Sequence, residues 1–163
     1  MSSKRQARAG FADGTFKPNR IVTRAEFAVM LMNALQLQDN GAKLTFTDAA
    51  EIGAWARKAV AQAAGAGIIT GREDGTFRPN AEITRAEMAM MVARALNLAV
   101  ETNAAAGFAD DKDIPAWAKG AAAALKRMGI IDGKGGNKFD PQAAASRAEA
   151  VTVLLQMKAR MSK

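Results

Sequence analysis

Apolar side chains fall along this chain in two kinds of stripe. Phe27, Met30, Leu31, Ala34 and Leu35 are spaced at three and four residues, Met88, Met91, Val92, Ala95 and Leu96 repeat that spacing, and Ala150, Val153, Leu154 and Met157 follow it more weakly. A second kind runs through Ile52, Trp55, Ala56, Ala59, Val60 and Ala63, and again through Ile114, Trp117, Ala118, Ala121, Ala122 and Leu125. Each stripe predicts a helix with one buried face. The chain is therefore expected to be all-α, built of helix-loop-helix units.

The residues between the stripes supply starts and stops. Thr23-Arg24-Ala25-Glu26, Thr84-Arg85-Ala86-Glu87 and Ser146-Arg147-Ala148-Glu149 each open a stripe of the first kind. A hydroxyl followed three residues later by Glu is a capping box, in which each side chain satisfies the other's free amide. The box explains Thr and Glu but not Arg, whose charge opposes the helix dipole at that position. Stripes of the second kind are expected to stop at Gly65 to Gly67 and at Gly129. Asp48 with Glu51 can cap the first of them, Asp110 can cap the second, and Pro115 sits where a missing N–H costs nothing. Gly71 to Pro79 reads as a turn with an Asp-Gly bend that tucks Phe77 onto the core, and Gly133 to Pro141 as the same turn with Gly-Asn chemistry.

These features keep a common register. Thr23, Thr84 and Ser146 are 61 and 62 residues apart, and Phe16, Phe77 and Phe139 keep the same steps. Phe46-Thr47-Asp48, Trp55-Ala56 and Gly67-Ile68-Ile69 recur 62 residues later as Phe108-Ala109-Asp110, Trp117-Ala118 and Gly129-Ile130-Ile131. The front half of the unit thus occurs twice and the back half three times. The expected organisation is a non-repeat segment at 1–9, the back half of a first repeat at 10–43, and repeats at 44–106 and 107–163, all in one compact unit.

Composition narrows the chemistry. A formal charge of +7 over 163 residues favours an anionic partner. Histidine, cysteine and tyrosine are absent, which removes the commonest general base, the commonest metal ligand and all thiol chemistry. Asp111-Lys112-Asp113 lacks the further oxygens of a calcium loop. No enzymatic activity, cofactor or metal is expected. No stretch reaches membrane-spanning length, and the basic N-terminus is not followed by the apolar run of a secretory signal. The glycine-rich connection between helices is longer than the tight turn of a helix-turn-helix, and no one helix is strongly basic, which argues against nucleic acid.

The ordered motifs F-x-D, W-A, G-I, G-x-F-x-P and T-R-A-E, in fixed register from Gly10 to Met157, resemble the S-layer homology family. The resemblance implies a pseudo-threefold helical bundle with ligand grooves between neighbouring repeats. It implies a non-catalytic module at the bacterial cell surface that binds an anionic, pyruvylated secondary cell-wall polysaccharide, with self-assembly within a surface layer or peptidoglycan binding as alternatives. Carried over by motif, the principal contacts are Arg24, Arg85 and Arg147, with Trp55, Trp117, Asp48 and Asp110 as further ligand-binding candidates. Both tryptophans read equally well as core fillers.

If each groove joins the back of one repeat to the front of the next, Arg24 is expected with Asp48 and Trp55, and Arg85 with Asp110 and Trp117. Arg147 is then left without a partner, two grooves at most are serviceable, and a homo-oligomer is one way to complete the truncated first repeat. A carboxylate is expected between each arginine and the free amides of its helix N-terminus. Replacing the arginine is expected to leave folding almost untouched, a salt bridge to a nearby carboxylate being the plainer use of that side chain.

Overall fold

The computed structural model describes residues 17–38, 41–99 and 105–161, so the reading of 1–9 as a non-repeat segment lies outside them. The described residues form five α-helices, α1 Arg24–Leu35, α2 Ala54–Gly65, α3 Arg85–Ala95, α4 Ala116–Arg127 and α5 Arg147–Met161. Single 3-10 turns at Ala49–Glu51 and Asp111–Asp113 lead into α2 and α4. The all-α expectation holds.

α1 and α3 begin as the sequence requires. The Thr23 and Thr84 hydroxyls accept from the amides of Glu26 and Glu87, whose carboxylates accept from the Thr23 and Thr84 amides in return. Ser146 and Glu149 make the same reciprocal pair at α5. The caps of α2 and α4 do not follow expectation. Asp48 and Asp110 make no cap hydrogen bond, because their carboxylates are committed to a distant loop. α2 instead starts from Gly53 and α4 from Pro115.

The helices pair across the repeat boundaries. α2 packs on α1 and α4 on α3, while α1, α3 and α5 meet one another at the centre. The front helix of each repeat therefore covers the back helix of the repeat before it, and α5 has no such cover among the described residues. Phe77 and Phe139, fully buried, anchor the two loops and stack against Phe46 and Phe108.

A ring of main-chain bonds closes the centre. The Val22 amide donates to the Ala145 carbonyl, Ala145 donates to Ile83, and Ile83 donates to Val22, at 3.0, 2.9 and 3.0 Å. All three side chains are fully buried. The ring satisfies polar groups that burial would otherwise leave costly, and its threefold form persists although the repeats are unequal in length.

Candidate functional site

The three motif arginines all become buried in the assembled bundle. Arg24 Nε donates to the Phe77 carbonyl at 2.8 Å, Nη1 lies 2.8 Å from Glu87 Oε2, and the guanidinium sits over the Phe77 ring. Arg85 repeats this geometry one repeat later. Its Nε donates to the Phe139 carbonyl, Nη1 to Glu149 Oε2 and Nη2 to the Asp132 carbonyl, with the Phe139 ring beneath. Burial lowers the pKa of Arg24 and of Arg147, with Glu87 opposing the shift at the first and Glu26 at the second. The Glu of each motif thus has two tasks: one oxygen closes its own capping box, and the carboxylate as a whole faces the arginine of a neighbouring repeat, Glu87 facing Arg24, Glu149 facing Arg85 and Glu26 facing Arg147.

This answers why Arg occupies a position that the capping box leaves unspecified: it ties two repeats together. The expectation that its replacement leaves folding untouched does not hold against a buried side chain with cross-repeat bonds. Nor do helix amides stand ready for a carboxylate. The Arg24 amide donates to Ala81 and that of Ala25 to Pro79, with matching bonds from Arg85 to Ala143, Ala86 to Pro141, Arg147 to Arg20 and Ala148 to Pro18. The Glu26, Glu87 and Glu149 amides are taken by the capping hydroxyls. The first amides of these helices are therefore not available to hold an anion at the grooves.

Asp48 and Asp110 hold the loops that meet the arginines. Asp48 accepts from the amides of Phe77 and Arg78, and Asp110 from those of Phe139 and Asp140, at 2.8 to 2.9 Å. Desolvation pulls the Asp110 pKa up, but the backbone amides together with the charge of Lys138 outweigh it and the net shift is downward. Asp48 therefore belongs with Arg24 and Asp110 with Arg85, each acting through the loop between them.

The tryptophans are placed differently from expectation. A groove of about 600 Å³ brings Arg24 together with Arg72, Arg78, Arg94 and Trp117, with Glu73, Asp74 and Glu87 also on its walls. Trp55 instead lies beside Val29, Asn33, Gln36 and Lys58 in a depression of about 590 Å³ against α1. The groove at Arg85, about 310 Å³, is lined by Lys134, Glu149, Thr152 and Gln156 and contains no tryptophan. The cause is the pairing of helices: a front helix lies on the preceding back helix, so its tryptophan reaches the groove of the arginine one repeat earlier still. Both indoles are more than half exposed, 62% for Trp55 and 55% for Trp117, and neither fills the core.

Three cations of the large groove lie outside the repeated motifs. Arg72 Nη2 shares Glu87 Oε2 with Arg24 at 2.9 Å, Arg78 pairs with Asp74 at 3.3 Å, and Arg94 reaches the Thr70 hydroxyl at 3.4 Å. Hydrogen bonds from the Thr76 hydroxyl and amide lower Asp74 to about 2. The signal for these residues was present in the divergence of the two loops, Arg72-Glu73-Asp74-Gly75-Thr76-Phe77-Arg78 against Lys134-Gly135-Gly136-Asn137-Lys138-Phe139-Asp140. No group of side chains among the described residues could hold a metal ion, and no described helix is long and apolar enough to cross a membrane.

Similarity to known proteins agrees with the geometry. The chain is 38% identical to an amylopullulanase of Thermoanaerobacterium thermosulfurigenes over 150 residues, covering 89% of this chain and 8% of that protein. It is 33% identical to a cellulosome-anchoring protein of Acetivibrio thermocellus, covering 89% of this chain and 34% of the relative. The S-layer protein EA1 of Bacillus anthracis is 35% identical over 103 residues, 63% of this chain and 12% of that protein. The chain thus spans between 8% and 34% of the length of these relatives. With the family model for the S-layer homology domain matching residues 9–28, 45–89 and 107–151, the chain belongs to the S-layer homology domain family.

Proposed function

We propose that this chain is a non-catalytic anchoring module that holds its parent protein at the bacterial cell wall by binding an anionic polysaccharide. The supporting observation is the groove at Arg24, where four arginines and an exposed indole line one cavity. Acidic groups of a glycan need fixed cations, and guanidinium forks suit carboxylates better than lysine does. Sugar rings present apolar faces that stack on an indole left open to solvent. Arg24 contributes long-range charge, while Arg72, Arg78 and Arg94 are the exposed cations that a carboxylate, such as a pyruvyl ketal, would meet first. Relatives with enzyme names are many times longer than this chain, which fits a module carried alongside catalytic domains.

The test is co-sedimentation with purified wall sacculi before and after removal of the secondary polymer. Retention on intact wall and loss on stripped wall is the expected result, and it should weaken as salt screens the arginines. Equal retention on both would assign the groove to peptidoglycan and refute the polymer reading. No retention on either would refute anchoring by this groove.

A further inference from the structure

We infer that the groove at Arg24 selects a glycan segment that carries a free amino group as well as its acidic group. The inference deepens the reading of this groove as a polysaccharide site and rests on it. It comes from how the charges on the walls are paired. Glu87 is shared by Arg24 and Arg72 at 2.8 and 2.9 Å, and Asp74 is taken by Arg78 at 3.3 Å. Two further charges line the same cavity. Arg94 reaches the Thr70 hydroxyl at 3.4 Å but meets no carboxylate within ion-pair distance among the described residues, and Glu73 meets no cation there. Both side chains are exposed.

The two stand on different elements. Arg94 follows Glu87 by seven residues on α3, about 10 Å along the helix axis. Glu73 follows Arg72 in the loop that closes on Glu87. One cavity of about 600 Å³ thus presents a positive and a negative point that do not neutralise each other. A purely anionic ligand would satisfy the arginines and be repelled by Glu73. A ligand with a carboxylate for Arg94 and an ammonium for Glu73 satisfies both, and the Trp117 indole on the same cavity offers a face for the sugar ring. Acetylating the amine would remove its charge and its ion pair.

The other repeats are internal controls. The positions of Glu73 and Arg94 are Ala12 and Asn33 one repeat earlier, and Gly135 and Gln156 one repeat later. The opposite charges occur together in one repeat and are both missing from the other two. A carboxylate placed only to solvate a loop does not require an accompanying arginine, whereas a site for a doubly charged ligand requires both.

Non-specific attraction predicts the opposite sign at every step of the test. The chain has a formal charge of +7, so removing a carboxylate should strengthen its hold on any acidic polymer. The secondary polymer released from purified bacterial wall is titrated by calorimetry into the unaltered chain, Glu73→Gln and Glu51→Gln, before and after N-acetylation of its free amines with acetic anhydride. Acetylation makes the polymer more anionic. The expected result is a Kd about threefold weaker for E73Q on the untreated polymer, the size of one exposed ion pair. Acetylation should weaken the unaltered chain and E51Q by a similar factor and cost E73Q nothing further. Glu51 is exposed and outside the groove, so E51Q should bind the untreated polymer at least as well as the unaltered chain, and all three chains should share one Tm. Equal or tighter binding by E73Q, or indifference of the unaltered chain to acetylation, would overturn the inference and leave the anionic reading of the groove standing. No binding of the untreated polymer by the unaltered chain would overturn both.

Discussion

The grooves at Arg24 and Arg85 are built on one frame and lined by different residues. In both, the arginine crosses to the next repeat, bonds a buried phenylalanine carbonyl and meets the capping-box Glu. Around that frame the first groove has Arg72, Arg78, Arg94 and Trp117, where register gives the second Lys134, Asp140, Gln156 and no aromatic residue. The arginines, glutamates and phenylalanines of the frame thus secure the assembly, and on the proposed reading ligand selection falls to the lining residues, Arg72, Arg78, Arg94 and Trp117 in the first groove. The repeat signature in this chain marks where a groove is, while the linings of its two grooves differ.

The largest expected effect tests the frame. Arg24→Ala and Arg85→Ala should each destabilise the fold by about 2–4 kcal/mol, since a buried guanidinium with cross-repeat bonds is lost and its Glu loses its partner. Chemical denaturation measures this, and near-wild-type stability of either variant would remove the structural role assigned to that arginine. Comparable losses at the two sites would show that the frame is shared although the linings differ.

Removing the loop clamps should come next. Asp48→Ala and Asp110→Ala each free two backbone amides and should cost roughly 1–3 kcal/mol. Asp110 also has a pH signature. Its folded pKa is depressed, so its contribution is present above the ordinary carboxylate range and is lost as pH falls through the lowered value. Asp110→Asn should therefore flatten the acid limb of stability against pH, and an unchanged limb would contradict the clamp.

Trp117→Ala should separate the two grooves in binding rather than in stability. The indole is exposed, so the melt should move little, while retention on intact wall falls roughly tenfold, about 1.4 kcal/mol. Retention unchanged by this substitution would take Trp117 out of the proposed site. Exchanging the linings with Arg94→Gln and Gln156→Arg should weaken retention less, because Arg72 and Arg78 remain in the first groove.

The smallest effect lies in the turns. Asn137 holds a left-handed conformation at φ +56°, where the first turn has Gly75 at φ +81°. Asn137→Gly should stabilise by a few tenths of a kcal/mol to about 1 kcal/mol if steric relief exceeds the entropy cost. A loss of stability would mean that the bond from the Asn137 side chain to the Gly107 carbonyl matters more.

Local physics made the helices, their capping boxes and the buried Phe77 and Phe139 legible in sequence, because each depends on residues within a turn or two. The pseudo-threefold arrangement came from the motifs rather than from periodicity. Three features resisted reading, all for the same reason. Asp48 looked like a cap because Glu51 is near in sequence, yet its partners are about thirty residues away. Arg24 was expected as a ligand contact whose loss leaves folding almost untouched, because the bonds it makes lie across the repeat boundary. Trp117 was expected at Arg85 and is found at Arg24 because the front helix packs backward onto the preceding repeat. Spacing specifies which side chains share a helix face, but not which neighbouring helix that face will choose.

The ring joining Val22, Ile83 and Ala145 bears on how the domain is made. Its first and last members are 145 − 22 = 123 residues apart, so the ring cannot close until the third repeat has been synthesised. A solenoid gains stability one repeat at a time, and truncation costs it roughly one increment. A closed ring instead makes the last repeat a condition for the first, which favours slower, all-or-none folding. A chain released before Ala145 should lose the common transition of all its repeats, leaving a domain that is either whole or unfolded.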